Sequence, residues 1–256
     1  MHFYDRNVPG AAAGPPLPGH FSVQMYREVQ KQLGLERVIV VQPNAYQADN
    51  RVTLAAMKEI GPNARSVAVV RPGVTDAELD GLTRAGVVAQ RFFALPGGAA
   101  GFDQMGALMA RVHAFGWHAN IQLNGRELPS REAQLKRLPG HFVIDHIGKF
   151  IDPVPVGHEA FKSLLRLLDT GRCWVKLSAP YESSKAGPPG YDDVAPLAKA
   201  LVRHAPERML WASNWPHPYR AAPSNAAMLE LLLDWAPDEA TREKILVDNP
   251  ARLYGF

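Results

Sequence analysis

Cysteine is almost missing from this chain: Cys173 stands alone among 256 residues. A single thiol closes no disulfide within the chain, which excludes a stapled secreted framework and suits a reducing compartment. Cys173 precedes Trp174 and Val175 in a strand-like run and reads as a buried, inert thiol. Long apolar runs are missing too, with nothing near the roughly 18 residues of a membrane span. The start, Met1-His2-Phe3-Tyr4-Asp5-Arg6, lacks the charged opening and apolar core of a signal peptide, so the cytoplasm is the expected location. Charge of one sign is scarce: the net charge is +3, with no Lys/Arg-rich run to form a nucleic-acid surface. That mild bias fits a small anionic substrate. Internal repeats, linkers and low-complexity tails are absent, so one domain over residues 1–256 is expected; the oligomeric state is left open.

The composition that remains, 46% hydrophobic and 21% charged, is that of a globular domain. Strand-like runs fall at Arg37–Val41, Ser66–Val70, Val87–Phe93, His118–Leu123, Phe142–Asp145, Cys173–Leu177 and Met209–Trp211. Helical periods fill the intervals at Val23–Leu33, Arg51–Ile60, Asp76–Ala85, Phe102–Phe115, Arg131–Leu138, His158–Leu168, Val194–His204 and Ala226–Trp235. Strand and helix in strict alternation mean parallel neighbours joined by crossover helices. The length matches a TIM-type (β/α)8 barrel, about 250 residues. Seven strands are visible, and only Met1–Tyr4 is left for the first. The expected fold is therefore α/β, a (β/α)8 barrel with a short or truncated first strand, and the natural product is expected to begin upstream of Met1.

Chemistry shows where apolar runs break into polar residues. Val40-Val41-Gln42-Pro43-Asn44, Val143-Ile144-Asp145-His146, Trp174-Val175-Lys176-Leu177-Ser178 and Met209 to His217 all do so. Barrel enzymes collect their working groups at such strand ends. Arg91 lies inside a strand beside Phe92 and Phe93, where a guanidinium is costly unless paired. A substrate carboxylate or an internal ion pair would serve. Asn120 and Gln122 share one strand face, as do Lys176 and Ser178; Lys176 suits a structural pairing with a carboxylate. Tyr181, Ser183 and Ser184 follow in a loop that suits a lid or plain surface. His113 and His204 sit late in helices, where positive charge suits the macrodipole.

Met1 to Asp5, Val41-Gln42-Pro43-Asn44-Ala45-Tyr46 with Asp49-Asn50, Ile144 to Lys149, Trp211 to His217 and Asp248 to Gly255 together resemble the amidohydrolase-2 group of the amidohydrolase superfamily, along essentially the whole chain. The resemblance implies a hydrolase acting on a small carboxylated lactone or related anionic ester. Its alternatives are a lactone isomerase, a zinc-dependent amidohydrolase or decarboxylase, and a non-catalytic anion-binding barrel. It places His2 in the family's first-strand histidine pair, His146 at the strand-six histidine and Asn214 where the family carries an aspartate. An amide is no general base and a poor zinc ligand, so the expected enzyme uses no cofactor, with zinc as the alternative. The expected catalytic residues are His146, His2, Asn214 and Lys149. Arg91, Asn44, Tyr46, Gln122, Ser178, Tyr181 and His217 are the expected substrate contacts.

Overall fold

The structure, a computed structural model, describes residues 1–217 and 223–256. Seven strands follow one another in sequence order: β1 (Val38–Val41), β2 (Ala64–Ala68), β3 (Val87–Phe93), β4 (His118–Gln122), β5 (Phe142–Ile144), β6 (Cys173–Leu177) and β7 (Met209–Trp211). Helices alternate with them: α1 (Val23–Leu33), α2 (Arg51–Ile60), α3 (Asp76–Arg84), α4 (Phe102–Val112), α5 (Leu128–Lys136), α6 (Glu159–Leu168), α7 (Ala195–His204) and α8 (Asn225–Trp235). This is the β/α barrel class expected from the sequence. Two short helices that the periodicity did not reveal, α9 (Glu239–Glu243) and α10 (Asn249–Tyr254), follow. By contact the chain divides into two compact units: residues 1–120 with 214–225, and residues 121–213 with 226–256.

In the first unit β1, β2 and β3 pair in parallel, Val38 beside Ala64 and Ser66 beside Val87. The helices form because their ends are satisfied. Ser22 caps α1 by accepting from the Met25 N–H, and Thr75 with Glu78 forms a reciprocal capping box on α3. Strand β2 stops at Ala68, two residues short of the run read from the sequence, because side-chain amides take over its pairing. Asn50 accepts from the Val69 N–H at 3.0 Å and donates to the Val69 carbonyl at 2.8 Å. Gln90 accepts from the Val70 N–H at 2.9 Å.

The Met1–Tyr4 stub does lie along β1. The Val41 N–H donates to the Met1 carbonyl at 2.9 Å, and the His2 N–H donates to the Trp215 carbonyl at 2.9 Å. What holds it there is aromatic packing. The Trp215 ring sits 6.0 Å from Phe3, 5.7 Å from Phe21 and 5.2 Å from Tyr26, in edge or tilted contact.

In the second unit β5, β6 and β7 pair in parallel, with Phe142 beside Cys173 and Val175 beside Met209. Helix α6 buries Phe161, Leu164, Leu167 and Leu168 and turns Arg166 to a surface network with Glu132 and Glu159. The carboxamide of Asn249, at the start of α10, donates to the carbonyls of Pro206 and Met209 at 2.8 and 2.7 Å. The C-terminal segment is thereby tied to the beginning of β7. Cys173 is buried, and burial pushes its thiol up, away from reactivity.

The Trp215 cluster sets a stability test. Trp215→Ala should cost about 3–5 kcal/mol, the range for deleting a buried large aromatic, seen as a lower urea midpoint with an unchanged slope. A cost under about 1 kcal/mol, the scale of a tolerated core swap, would show that the stub is held by its backbone pairing alone.

Candidate active site

Among the described residues eight that are not glycine adopt left-handed backbone: Gln47, His146, Ile147, Lys149, Ala179, Tyr191, Asn214 and His217. Every one lies in a loop that follows the C-terminal end of a strand. Such conformations are unfavourable for side-chain-bearing residues, most of all for a β-branched one such as Ile147 at φ 57°. Strain of this kind gathers where a structure holds groups for chemistry.

The second unit carries the densest cluster. Asp145 and Lys176 stand side by side just beyond the Ile144–Val175 pairing and form a buried ion pair at 2.9 Å. The structural role expected for Lys176 is thus realised. One residue past Asp145 the chain turns sharply at His146, whose Nδ1 lies 2.9 Å from the Ser178 hydroxyl. His146 is 8% exposed. Burial holds its imidazole down at about 4, opposed by the negative charges of Glu182 and Asp145 and reinforced by Lys149 and Lys176. At neutral pH His146 is therefore uncharged.

Lys149 closes the same turn. Its ammonium pairs with the Glu182 carboxylate, and its carbonyl accepts from the Gly125 N–H at 3.0 Å. Gly125 is required there, because a Cβ would sit 2.5 Å from the Gly148 oxygen and 2.7 Å from the Phe150 ring. Tyr181 is half-buried in the turn Pro180–Glu182. Gln122 is buried at the end of β4.

The first unit holds the remaining candidates. Gln42, which is not among the expected site residues, organises the loop after β1. Its amide donates to the Gln47 and Asp49 carbonyls at 3.1 and 2.8 Å, and its oxygen accepts from the Thr53 hydroxyl at 2.6 Å. Arg91, buried, donates from Nη1 to the Gln42 carbonyl and lies 5.3 Å from the Phe93 ring centre. Its guanidinium is anchored on a backbone carbonyl rather than left to a substrate alone.

His2 donates from Nδ1 to the Val41 carbonyl at 2.7 Å; a carbonyl only accepts, so Nδ1 carries the proton. Asn44 is half-buried and opens the turn Asn44–Tyr46. The Tyr46 hydroxyl is engaged twice by Asp5, accepting from its N–H at 2.9 Å and donating to its carbonyl at 3.0 Å. That gives Tyr46 the work of fastening the N-terminal loop. Asn214, half-buried at φ 52°, accepts through its carbonyl from the His217 N–H at 3.3 Å. His217 is buried, with Nε2 3.3 Å from the Asn225 amide oxygen.

The structure therefore groups His146, Ser178 and Lys149 in the second unit and adds Asp145, Lys176 and Glu182 to them. In the first unit it links His2, Arg91 and the Gln42 loop. Glu182 was missed because a lone glutamate in a loop carries no pattern; only its contact with Lys149 marks it. As for a metal, among the described residues no group of three or more His, Cys, Asp or Glu is placed to hold one.

Comparison with known proteins gives the family. The chain is 38% identical over 263 residues to the D-galactarolactone isomerase of Agrobacterium fabrum, covering 99% of this chain and 89% of that protein. It is 34% identical over 244 residues to the 2-pyrone-4,6-dicarboxylate hydrolase of Comamonas testosteroni, covering 90% and 79%. An apo crystal structure from Agrobacterium tumefaciens superposes with a TM-score of 0.95 at 38% identity, covering all of this chain and 94% of the other. The amidohydrolase family model matches residues 1–256. Motifs, fold and relatives coincide along the whole length, and the chain is an enzyme of the amidohydrolase family.

Proposed function

We propose that this chain breaks the acyl–oxygen bond of a small carboxylated lactone, without a divalent metal. The observation that carries the reading is the neutral, strained His146 beside the Lys149–Glu182 pair, in a chain whose relatives are named as a lactone isomerase and a lactone-type hydrolase. A neutral imidazole has one nitrogen that donates and one that accepts, so it can orient and polarise a reacting group without carrying charge. Arg91, steadied by the Gln42 carbonyl, is assigned to the substrate carboxylate, where its planar fork suits bidentate contact. Lys149 is assigned to the charge that develops on the carbonyl oxygen, whose stabilisation commonly contributes most to the acceleration of acyl transfer. His2 is the second candidate for proton handling. The single buried cysteine supports residence in a reducing compartment, the cytoplasm. Among the described residues no helix is long and apolar enough to cross a membrane.

Water as the acyl acceptor makes the enzyme a hydrolase. A second reading, lactone isomerisation, is favoured by one residue. Asn214 has no basic carboxylate with which to draw a proton from water. A hydroxyl of the bound substrate needs less help, since binding already holds it at high effective concentration. Turnover of carboxylated lactones in 18O-labelled water separates the two. Hydrolysis leaves one label in the new carboxylate, and isomerisation leaves none. A panel that shows neither ring opening nor isomer exchange would overturn the assignment.

Arg91→Lys should raise KM at least tenfold with a smaller change in kcat, because a point charge cannot reproduce a fork. A mutant that unfolds yet keeps its specific activity would make Arg91 purely structural. Metal independence is tested by elemental analysis and chelation. Purified enzyme should hold well under one zinc per chain and keep its activity in chelator. Zinc at one per chain, with activity lost and restored with it, would reverse the reading.

Stability should also respond to pH through His146. Its folded value, about 4, lies below the ordinary histidine value of 6.5, so the unfolded chain takes up the proton first. The contribution is complete above pH 6.5 and is lost as pH falls toward 4, by roughly 3 kcal/mol in all. Urea unfolding across that range should show the loss, and His146→Gln should flatten this part of the curve.

A further inference from the structure

Neutral histidine has two forms, and the hydrogen bonding around His146 bears on which one it adopts. The only hydrogen bond its ring makes to a described residue is from Nδ1 to Ser178 Oγ, at 2.9 Å. Nε2 is bonded to no described residue and is not among the buried unpartnered atoms, so it is the side of the ring that the described residues leave open. Ser178 is 3% exposed, and its hydroxyl has no other partner among the described residues.

Two arrangements fit the distance. If Nδ1 carried the proton, Ser178 would accept it, and the hydroxyl's own proton would be buried with no acceptor among the described residues. If Ser178 donates to Nδ1, its proton is placed and the imidazole proton moves to Nε2. The second arrangement leaves no buried donor unsatisfied, and unsatisfied buried donors are what folded proteins avoid. We infer that Ser178 is a positioning residue that fixes His146 in its Nε2–H form, so that the open side of the ring offers a hydrogen-bond donor rather than a base.

The backbone supports this division of labour. His146 and Ser178 follow adjacent paired strands, β5 and β6. Each sits at a left-handed turn, His146 at φ 56° and Ala179, directly after Ser178, at φ 49°. Asp145 and Lys176 pair immediately before them and fix the spacing of the two chains. Around the ring Glu182 and Asp145 carry negative charge and Lys149 and Lys176 positive charge. The hydroxyl, rather than a carboxylate, is what touches Nδ1. A carboxylate there could only accept, which would place the proton on Nδ1 and leave Nε2 as a base. Serine permits the opposite assignment.

The catalytic part of this role rests on the proposed lactone chemistry, but the tautomer itself is tested without substrate. Nitrogen NMR of the full chain labelled at histidine reads the two ring nitrogens directly, and His146→Gln identifies the signal among nine histidines. Wild type should show an unprotonated, hydrogen-bonded Nδ1 and a protonated Nε2. Ser178→Ala should let both forms appear, and Ser178→Thr should restore the wild-type pattern. In turnover, Ser178→Ala should lower kcat about tenfold, below the full range for loss of a proton-transfer group, with little change in KM. Ser178→Thr should recover most of it. A wild-type spectrum with the proton on Nδ1 overturns the inference, as does a Ser178→Ala spectrum identical to wild type. Normal kcat in Ser178→Ala alongside a changed spectrum overturns the positioning role. If wild type turns over no lactone, the functional reading falls, and the spectrum still decides the tautomer.

Discussion

The second unit depends on one buried ion pair, Asp145 with Lys176. Two charges removed from water gain little net stability from their attraction, because desolvation consumes most of it. The pair works through the penalty for separating it: removal of one partner strands the other charge, at a cost of about 3–5 kcal/mol. Strands β5 and β6 are thereby held in a single relation at the point where they end. His146 and Ser178 stand one and two residues further on, so their 2.9 Å contact inherits the precision of the pair. The Asp145 N–H, bonded to the Ile121 carbonyl at 2.9 Å, adds a third strand to the same frame.

Much of this is legible in the sequence. Parallel strands buried on both faces read as continuous apolar runs, and the runs at β6 and β7 match the strands to the residue, as the helical periods of α1 and α2 match their helices. Strand ends are harder to read. Val69 and Val70 look like strand, yet Asn50 and Gln90 cap them with side-chain amides from distant positions. No local pattern encodes such a partner. The C-terminal helices escape for a related reason. Helix α10 is only six residues long, and it is secured by the contacts of Asn249 to Pro206 and Met209.

The site follows the same rule. His146, Lys149 and Ser178 stand out because polar residues directly after an apolar run are conspicuous. Glu182 does not, since its meaning lies in the Lys149 contact. Tyr46 is visible as an aromatic in a strand-end loop, but its engagement by Asp5 requires the folded chain. Arg91 presents the opposite difficulty. A guanidinium in a strand signals a partner, and one group it meets is the Gln42 backbone carbonyl, which has no sequence signature at all.

The Lys149–Glu182 pair shapes what an incoming anion encounters. The ammonium already has a counterion, so an anionic group that reaches Lys149 enters by exchange, one carboxylate for another. Its electrostatic gain is the difference between two similar pairings, and a bare anion gains almost nothing by the trade. A ligand prevails only through contacts made elsewhere by its remaining atoms, and recognition at this position therefore selects shape more than charge.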